Sequence, residues 1–332
     1  MRRSLTFSFL LALCWTQSVG ATQLKIATLA PDGSFWMNEV RRGADEIAEK
    51  TSGRIKMRLY PGGTMGNDQA ILRKMRIGQL QGGMVMGMAL TSITPDLQVY
   101  GLPLVFRSYA EVDFVRERMD SSLISSLEDK GYISFGLIEG GFAYIMSNKP
   151  TRAFADLKGQ KAWIPEGDIV GEAILDAAGF SSVPLPISDV LTGLQTGLID
   201  TVAGPPVAAV ALQWFTRTKY FTDMPILYSC GSLLISKKAF SKLDPADQNI
   251  VREVMGRVSK TLDERTRTDN ERAREALTKQ GIEFIEVQSA ALAHWSEVAK
   301  KATDSLNRRG GFPAARMDEI NAHLRAFRKQ DE

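Results

Sequence analysis

The sequence predicts an α/β protein of two lobes, with a cleft between them and one long helix laid across both. Three observations carry this. Strand-like and helix-like patterns alternate from Leu24 to Met88. The same alternation restarts at Asp156. An apolar stripe of period near 3.6 then runs from Pro245 almost to Gly281.

The elements follow in order. Leu24 to Thr28 reads as a strand, and Phe35 to about Lys50 as a helix with Trp36, Val40, Ala44 and Ile47 on one face. Arg54 to Tyr60 alternates as a second strand. A Gly-rich loop, Pro61 to Asp68, leads into a helix from Gln69 to Ile77 and an apolar run from Leu80 to Met88. Short connections between such units are expected of a parallel sheet. Beyond Asp156, strands are expected at Lys161–Pro165, at Ser182–Pro184 and at Leu198–Ala203. The helices between them are Ile169–Ala178 and Ile187–Thr196. The segments Met75–Gly82 and Leu194–Thr201 share one plan, a helix ended by a Gly that can take positive φ and an immediate turn into a strand. Such sheets bind ligands at the carboxyl ends of their strands. The last third is helical. Asp244 is placed as N-cap and Pro245 at the first helical position, and about 36 residues would extend ~54 Å.

Composition narrows the function. The chain of 332 residues has 41 Lys+Arg against 38 Asp+Glu, a net charge of +3 that becomes +1 without Arg2 and Arg3. That balance argues against nucleic acid or an anionic membrane as partner. Two Cys and two His, His294 and His323, leave little for a zinc, iron–sulfur or histidine-based catalytic site. No nucleophile elbow, phosphate loop or His-Glu-x-x-His occurs. No catalytic residue, metal or cofactor is expected. Residues 1–21 read as a cleavable signal peptide: Arg2 and Arg3, an apolar run from Leu5 to Trp15 too short to span a bilayer, then small residues through Ala21. The mature chain is expected to be exported to the periplasm without membrane insertion. Cys230 is then its lone cysteine, expected as a small core residue.

Several segments resemble one family in order and spacing. They are Ala27-Thr28-Leu29-Ala30-Pro31, Tyr60-Pro61-Gly62-Gly63-Thr64-Met65-Gly66, Leu102-Pro103-Leu104-Val105-Phe106, Asp156-Leu157-Lys158-Gly159-Gln160-Lys161 and Leu194 to Asp200. Together they resemble the solute receptors of TRAP transporters, the DctP type. The resemblance implies a two-lobed periplasmic-binding-protein fold, capture of a small organic acid, and delivery to membrane permease subunits driven by an ion gradient. A sensory subunit reporting to a receptor kinase is the alternative, with an exported enzyme a distant third. Lobe I would comprise 22–141 and about 225–262, and lobe II 142–224 and about 263–332. The long helix, about 245–280, would bridge them.

Two departures from the family bear on the solute. Where the resemblance implies an Arg clamp two residues before the Pro, this chain has Trp163 before Pro165. Where an acidic–amide pair is usual, it has Ala203-Gly204-Pro205-Pro206. A Trp covers an apolar body and donates one hydrogen bond, but it is no bidentate charged clamp. A solute bulkier or less charged than a C4-dicarboxylate is therefore expected. Candidate ligand-binding residues are Leu29, Pro31, Phe35, Met86 and Phe106 from one lobe. Trp163, Pro165, Pro184, Pro186, Pro205 and Trp214 come from the other, with Trp214 near the rim and Phe142 at the crossing beside Gly140-Gly141.

Overall fold

The computed structural model describes residues 21–310 and 313–329. The expected signal peptide thus lies, but for Ala21, outside the described residues.

The first strand, β1 (Thr22–Thr28), is followed by α1 (Phe35–Lys50), whose Ser34 side chain caps the Met37 N–H and whose face of Val40, Ala44 and Ile47 is buried. Next come β2 (Ile55–Tyr60), α2 (Asp68–Arg76), β3 (Gly82–Met86) and α3 (Met88–Thr91), then a 3₁₀ turn at Pro95–Gly101 and α4 (Tyr109–Asp129). The long strand β4 (Tyr132–Ser147) carries the chain from one lobe to the other. The second lobe contains β5 (Ala162–Pro165), α5 (Ile169–Ala178), β6 (Ser182–Leu185), α6 (Val190–Thr196), β7 (Thr201–Gly204), α7 (Pro206–Ala211) and β8 (Tyr220–Thr222). Returning to lobe I, β9 (Leu227–Ser236) precedes α8 (Lys237–Phe240) and the 35-residue α9 (Pro245–Lys279). The chain then continues through β10 (Glu283–Ile285), α10 (Ser289–Arg308) and α11 (Ala314–Arg328).

The strand order is β2-β1-β3-β9-β4-β7-β5-β6, with β8 on β4 and β10 on β8. The sheets are mixed, not parallel throughout. The returning strand β9 lies antiparallel between β3 and β4, and β4 is antiparallel to β7. Strands that shuttle between lobes must run against their neighbours, which a local reading of each lobe does not reveal. In lobe I, α2, α4 and α11 pack on one face of the sheet, while α1, α8 and α9 pack on the other. In lobe II, α5 and α10 cover one face; α6, α7 and the end of α9 cover the other. The long helix therefore buries Val251, Val254, Met255 and Leu262 in lobe I and Leu277 in lobe II, as its ~52 Å length allows.

Four expectations need correction. The C-terminal helix α11 packs on α4, with Ile320 and Leu324 in the lobe I core, so 263–332 does not lie wholly in lobe II. The strand placed at Leu198–Ala203 begins only at Thr201: after Gly197 the chain is still turning, with Leu198 51% exposed, and at Asp200 the side-chain carboxylate takes the Lys161 N–H (2.7 Å). The helix placed at Ile187 opens as a 3₁₀ turn before α6. Asp244 occupies the N-cap of α9 without a side-chain capping bond. The paired turns do share one geometry, with Gly78 at φ +78° and Gly197 at φ +71°. No helix among the described residues is long and apolar enough to cross a membrane.

Candidate functional site

The carboxyl ends of β1, β3, β5 and β7 converge where the lobes meet, as open α/β sheets dispose their binding crevices. There Leu29, Met86, Pro165 and Pro205 line a cavity of about 410 Å³. Both lobes contribute. From lobe I come Asp68 at the start of α2, Leu90 of α3, and Gln98 and Tyr100 of the 3₁₀ turn. Leu104 and the β9 residues Tyr228 to Cys230 complete that side. From lobe II come Phe154, Trp163, Asp168, Ile174, Trp214 and Trp295. Most of this wall is apolar, the usual character of a small-molecule site.

Of the expected site residues, Leu29, Met86, Trp163, Pro165, Pro186, Pro205 and Trp214 line the cavity. Pro31, Phe35, Phe106, Phe142 and Pro184 do not. Phe35 opens α1 against the other face of lobe I, under the Arg265 guanidinium at 4.1 Å. Pro31 lies in the loop behind it, where its carbonyl accepts the Ser34 N–H. Phe106 and Phe142 are core residues that stand edge-on to Tyr228, each at 5.6 Å. Pro184 points to solvent from β6. Trp214 is a buried wall residue rather than a rim residue, at 1% exposure.

Trp163 differs from its expected role in one respect. Its indole N–H donates to the Leu185 carbonyl at 3.0 Å, and its ring meets Trp214 edge-on at 5.4 Å. The donor is spent on the lobe itself, so Trp163 has no free indole N–H for a solute.

Polar groups that were not expected lie in the wall. Asp68 accepts the Met86 N–H through Oδ2 at 3.1 Å, while burial pushes its carboxyl up to about 7. Asp168 caps α5 by accepting the Val170 and Gly171 N–H groups, and burial raises its pKa as well. At the mouth, Asn67 of lobe I donates to Glu166 of lobe II. Gln98 is 2% exposed and Trp295 1%. A lone Gln among Leu97, Val99 and Tyr100 was a legible signal of a buried polar role. Nothing in the sequence marks which face of α10 brings Trp295 to the cavity. Burial pushes the Cys230 thiol up to about 12, so it stays protonated and inert, as a packed cysteine should.

Behind the wall, the crossing strand is tied to the long helix. Glu139, 1% exposed, accepts from Arg267 at 2.8 Å and from the Tyr228 hydroxyl at 3.2 Å. Asp263 accepts the Glu139 N–H at 2.7 Å and an Arg116 N–H at 2.8 Å. Tyr228 thus borders the cavity, packs its ring on Phe106 and Phe142, and places its hydroxyl in the network that joins β4 to α9.

Known proteins share both this sequence pattern and this fold. Residues 26–309 match the family described as bacterial extracellular solute-binding protein, family 7 (DctP). The 2,3-diketo-L-gulonate-binding periplasmic protein YiaO of Escherichia coli (strain K12) is 26% identical over 251 residues, 74% of this chain and 76% of the relative. The C4-dicarboxylate-binding periplasmic protein DctP of Rhodobacter capsulatus is 26% identical over 275 residues, 80% of this chain and 81% of the relative. Among solved structures, a TRAP periplasmic solute-binding protein of Xanthobacter autotrophicus Py2 with bound β-D-galacturonate has a TM-score of 0.82. It is 21% identical, over 91% of this chain and 99% of that one. The Bordetella pertussis extracytoplasmic solute receptor DctP7, which binds pyroglutamic acid, gives 0.83 at 18% identity, over 92% and 100% of the two chains.

Proposed function

Because the chain belongs to family 7 of the bacterial extracellular solute-binding proteins, the DctP family, we propose that it is the periplasmic solute receptor of a TRAP-type secondary transporter. It binds a small organic acid-type solute reversibly and passes it to an ion-gradient-driven permease. Its family members are receptors rather than enzymes. The observation that carries the reading is the cavity itself, about 410 Å³ with walls from both lobes at the strand carboxyl ends. A ligand held there touches both lobes only when they are together, so its binding energy favours the closed shape by its differential affinity. A permease that distinguishes shapes would then recognise the loaded receptor. The apolar wall and the ring of Trp163 favour a solute with a substantial hydrocarbon or aromatic body.

Titration calorimetry of the mature protein against organic acids of graded size and charge, zwitterionic amino acids and betaines among them, tests this, with small-angle scattering on the same samples. Saturable binding of at least one compound, with a smaller radius of gyration when bound, is expected. Binding without compaction would overturn closure. Turnover of a bound compound would overturn the receptor reading.

A further inference from the structure

We propose that the cavity selects a solute with no net negative charge, one that presents a hydrogen-bond donor to Asp68 and an acceptor to Gln98 or Trp295. This rests on the receptor reading and narrows it: a carboxylic acid would fit if its charge is balanced within the molecule, as in a zwitterion.

The first argument is charge. Among the described residues, no Lys, Arg or His lines the cavity, whereas Asp68, Glu166 and Asp168 do. An anion moved from water into such a wall loses its hydration and meets no counter-charge, a costly exchange at low dielectric. Helix N-termini are the usual substitute for a basic side chain, but those of α2, α5 and α7 carry caps or prolines. At α2, Asn67 accepts the Ala70 N–H at 2.9 Å and Asp68 follows it. At α5, Asp168 takes two N–H groups. The short α7 begins with Pro205-Pro206, which have no N–H, and its Val207 N–H donates to Asn270 at 3.1 Å.

The second argument is independent of charge. Among the described residues, the buried side-chain atoms without a hydrogen-bond partner are Asp68 Oδ1, Gln98 Nε2, Ser259 Oγ and Trp295 Nε1. All but Ser259 belong to residues that line this one cavity, on three separate elements of both lobes. An unmatched buried polar atom forfeits its hydration without a replacement, and folded proteins retain few. A cluster of them around a cavity is therefore the imprint of a complementary molecule: an acceptor at Asp68 once its carboxyl is ionised, as at the pH 7.5 of the test below, and donors at Gln98 and Trp295. A solute with one polar group of each kind on an apolar body satisfies all three.

The test uses a water-soluble metabolite extract divided on an anion exchanger at pH 7.5 into a flow-through fraction and a retained, anionic fraction. Each is added to the wild type, Asp68→Asn and Gln98→Leu in thermal-shift measurements. Asp68→Asn keeps an acceptor for the Met86 N–H, and Gln98→Leu fills the same space. Trp295→Phe replaces Gln98→Leu if that variant does not fold. The flow-through should raise the wild-type melting temperature, the retained fraction should not, and the variants should lose most of the shift. Stabilisation by the retained fraction alone would overturn the proposal and leave the receptor reading intact. Equal stabilisation of wild type and variants by the flow-through would overturn the roles of Asp68 and Gln98. Silence with both fractions would overturn the receptor reading, and this proposal with it.

Discussion

Asn67 Nδ2 donates to Glu166 Oε2 at 3.1 Å across the mouth of the cavity, joining lobe I to lobe II. The bond exists only while the lobes are together, so it adds to the stability of the closed form. Asn67 also caps α2, and Ala would remove both roles at once. Asn67→Ser keeps a capping oxygen but cannot reach Glu166. An exposed bond to a carboxylate is worth about 1 kcal/mol. Asn67→Ser should therefore weaken solute binding roughly two- to fivefold in calorimetry, with the melting temperature of the free protein nearly unchanged. A loss of melting temperature without loss of affinity would place the residue's importance in the cap alone.

Asp68 predicts a pH dependence with a definite sign. In the unfolded chain this carboxyl titrates near 3.8, whereas burial raises it to about 7 in the fold. Between those values the native state holds more protons than the unfolded one, so this group's contribution to stability falls as pH rises from about 4 to 7. Asp68→Asn cannot titrate. Relative to the wild type, the variant should gain stability across that window, by on the order of a few kcal/mol at most, and level off on either side. Urea denaturation of both proteins at pH 4.5, 6 and 8 measures the difference. A constant difference would mean that Asp68 stays ionised in the fold.

The extent of α1 was legible because its apolar positions recur on one face; the structure adds Ser34 as its cap. The same logic placed Leu29, Met86, Pro165 and Pro205 in the cavity, since each ends a strand or directly follows one. Phe106 and Phe142 were misplaced because an aromatic has the same sequence signature in a core as in a cleft. They pack on Tyr228, a residue of the returning strand far along the chain. The position of α11 on lobe I depends on how the chain returns after α10, which no local pattern encodes. Asp68 was read as the end of a loop, and its burial follows from β3 passing close enough for the Met86 N–H to reach it.

Trp163 separates packing from recognition. Removing the whole side chain from a buried site costs about 3–5 kcal/mol, so Trp163→Ala should be markedly destabilised in urea. Trp163→Phe keeps an aromatic face toward Trp214 but leaves the Leu185 carbonyl unpaired, at about 1–2 kcal/mol. Since the indole N–H is already bonded within the lobe, Trp163→Phe should retain most of the affinity for the solute while Trp163→Ala loses it. Equal loss of affinity in both would show that the N–H turns to the solute on binding.

Gly141 is where β4 crosses between the lobes, and two constraints meet there. Its φ of +93° is unfavourable for residues with a Cβ, and a Cβ built on it would lie 2.6 Å from Asn270 Nδ2. Asn270 in turn donates to the Gly140 carbonyl at 3.3 Å and accepts the Val207 N–H at 3.1 Å, so one side chain of α9 holds both the crossing strand and α7. Gly141→Ala should cost about 1–3 kcal/mol through backbone strain, plus the displacement of Asn270. Asn270→Ala removes the obstacle together with its hydrogen bonds. Much of the displacement cost in Gly141→Ala is the loss of those same bonds, so the double variant should be less destabilised than the sum of the single ones. Urea unfolding of the four proteins gives the cycle. Strict additivity would mean that the strand accommodates the added methyl group without moving Asn270, and that φ alone fixes glycine at this position.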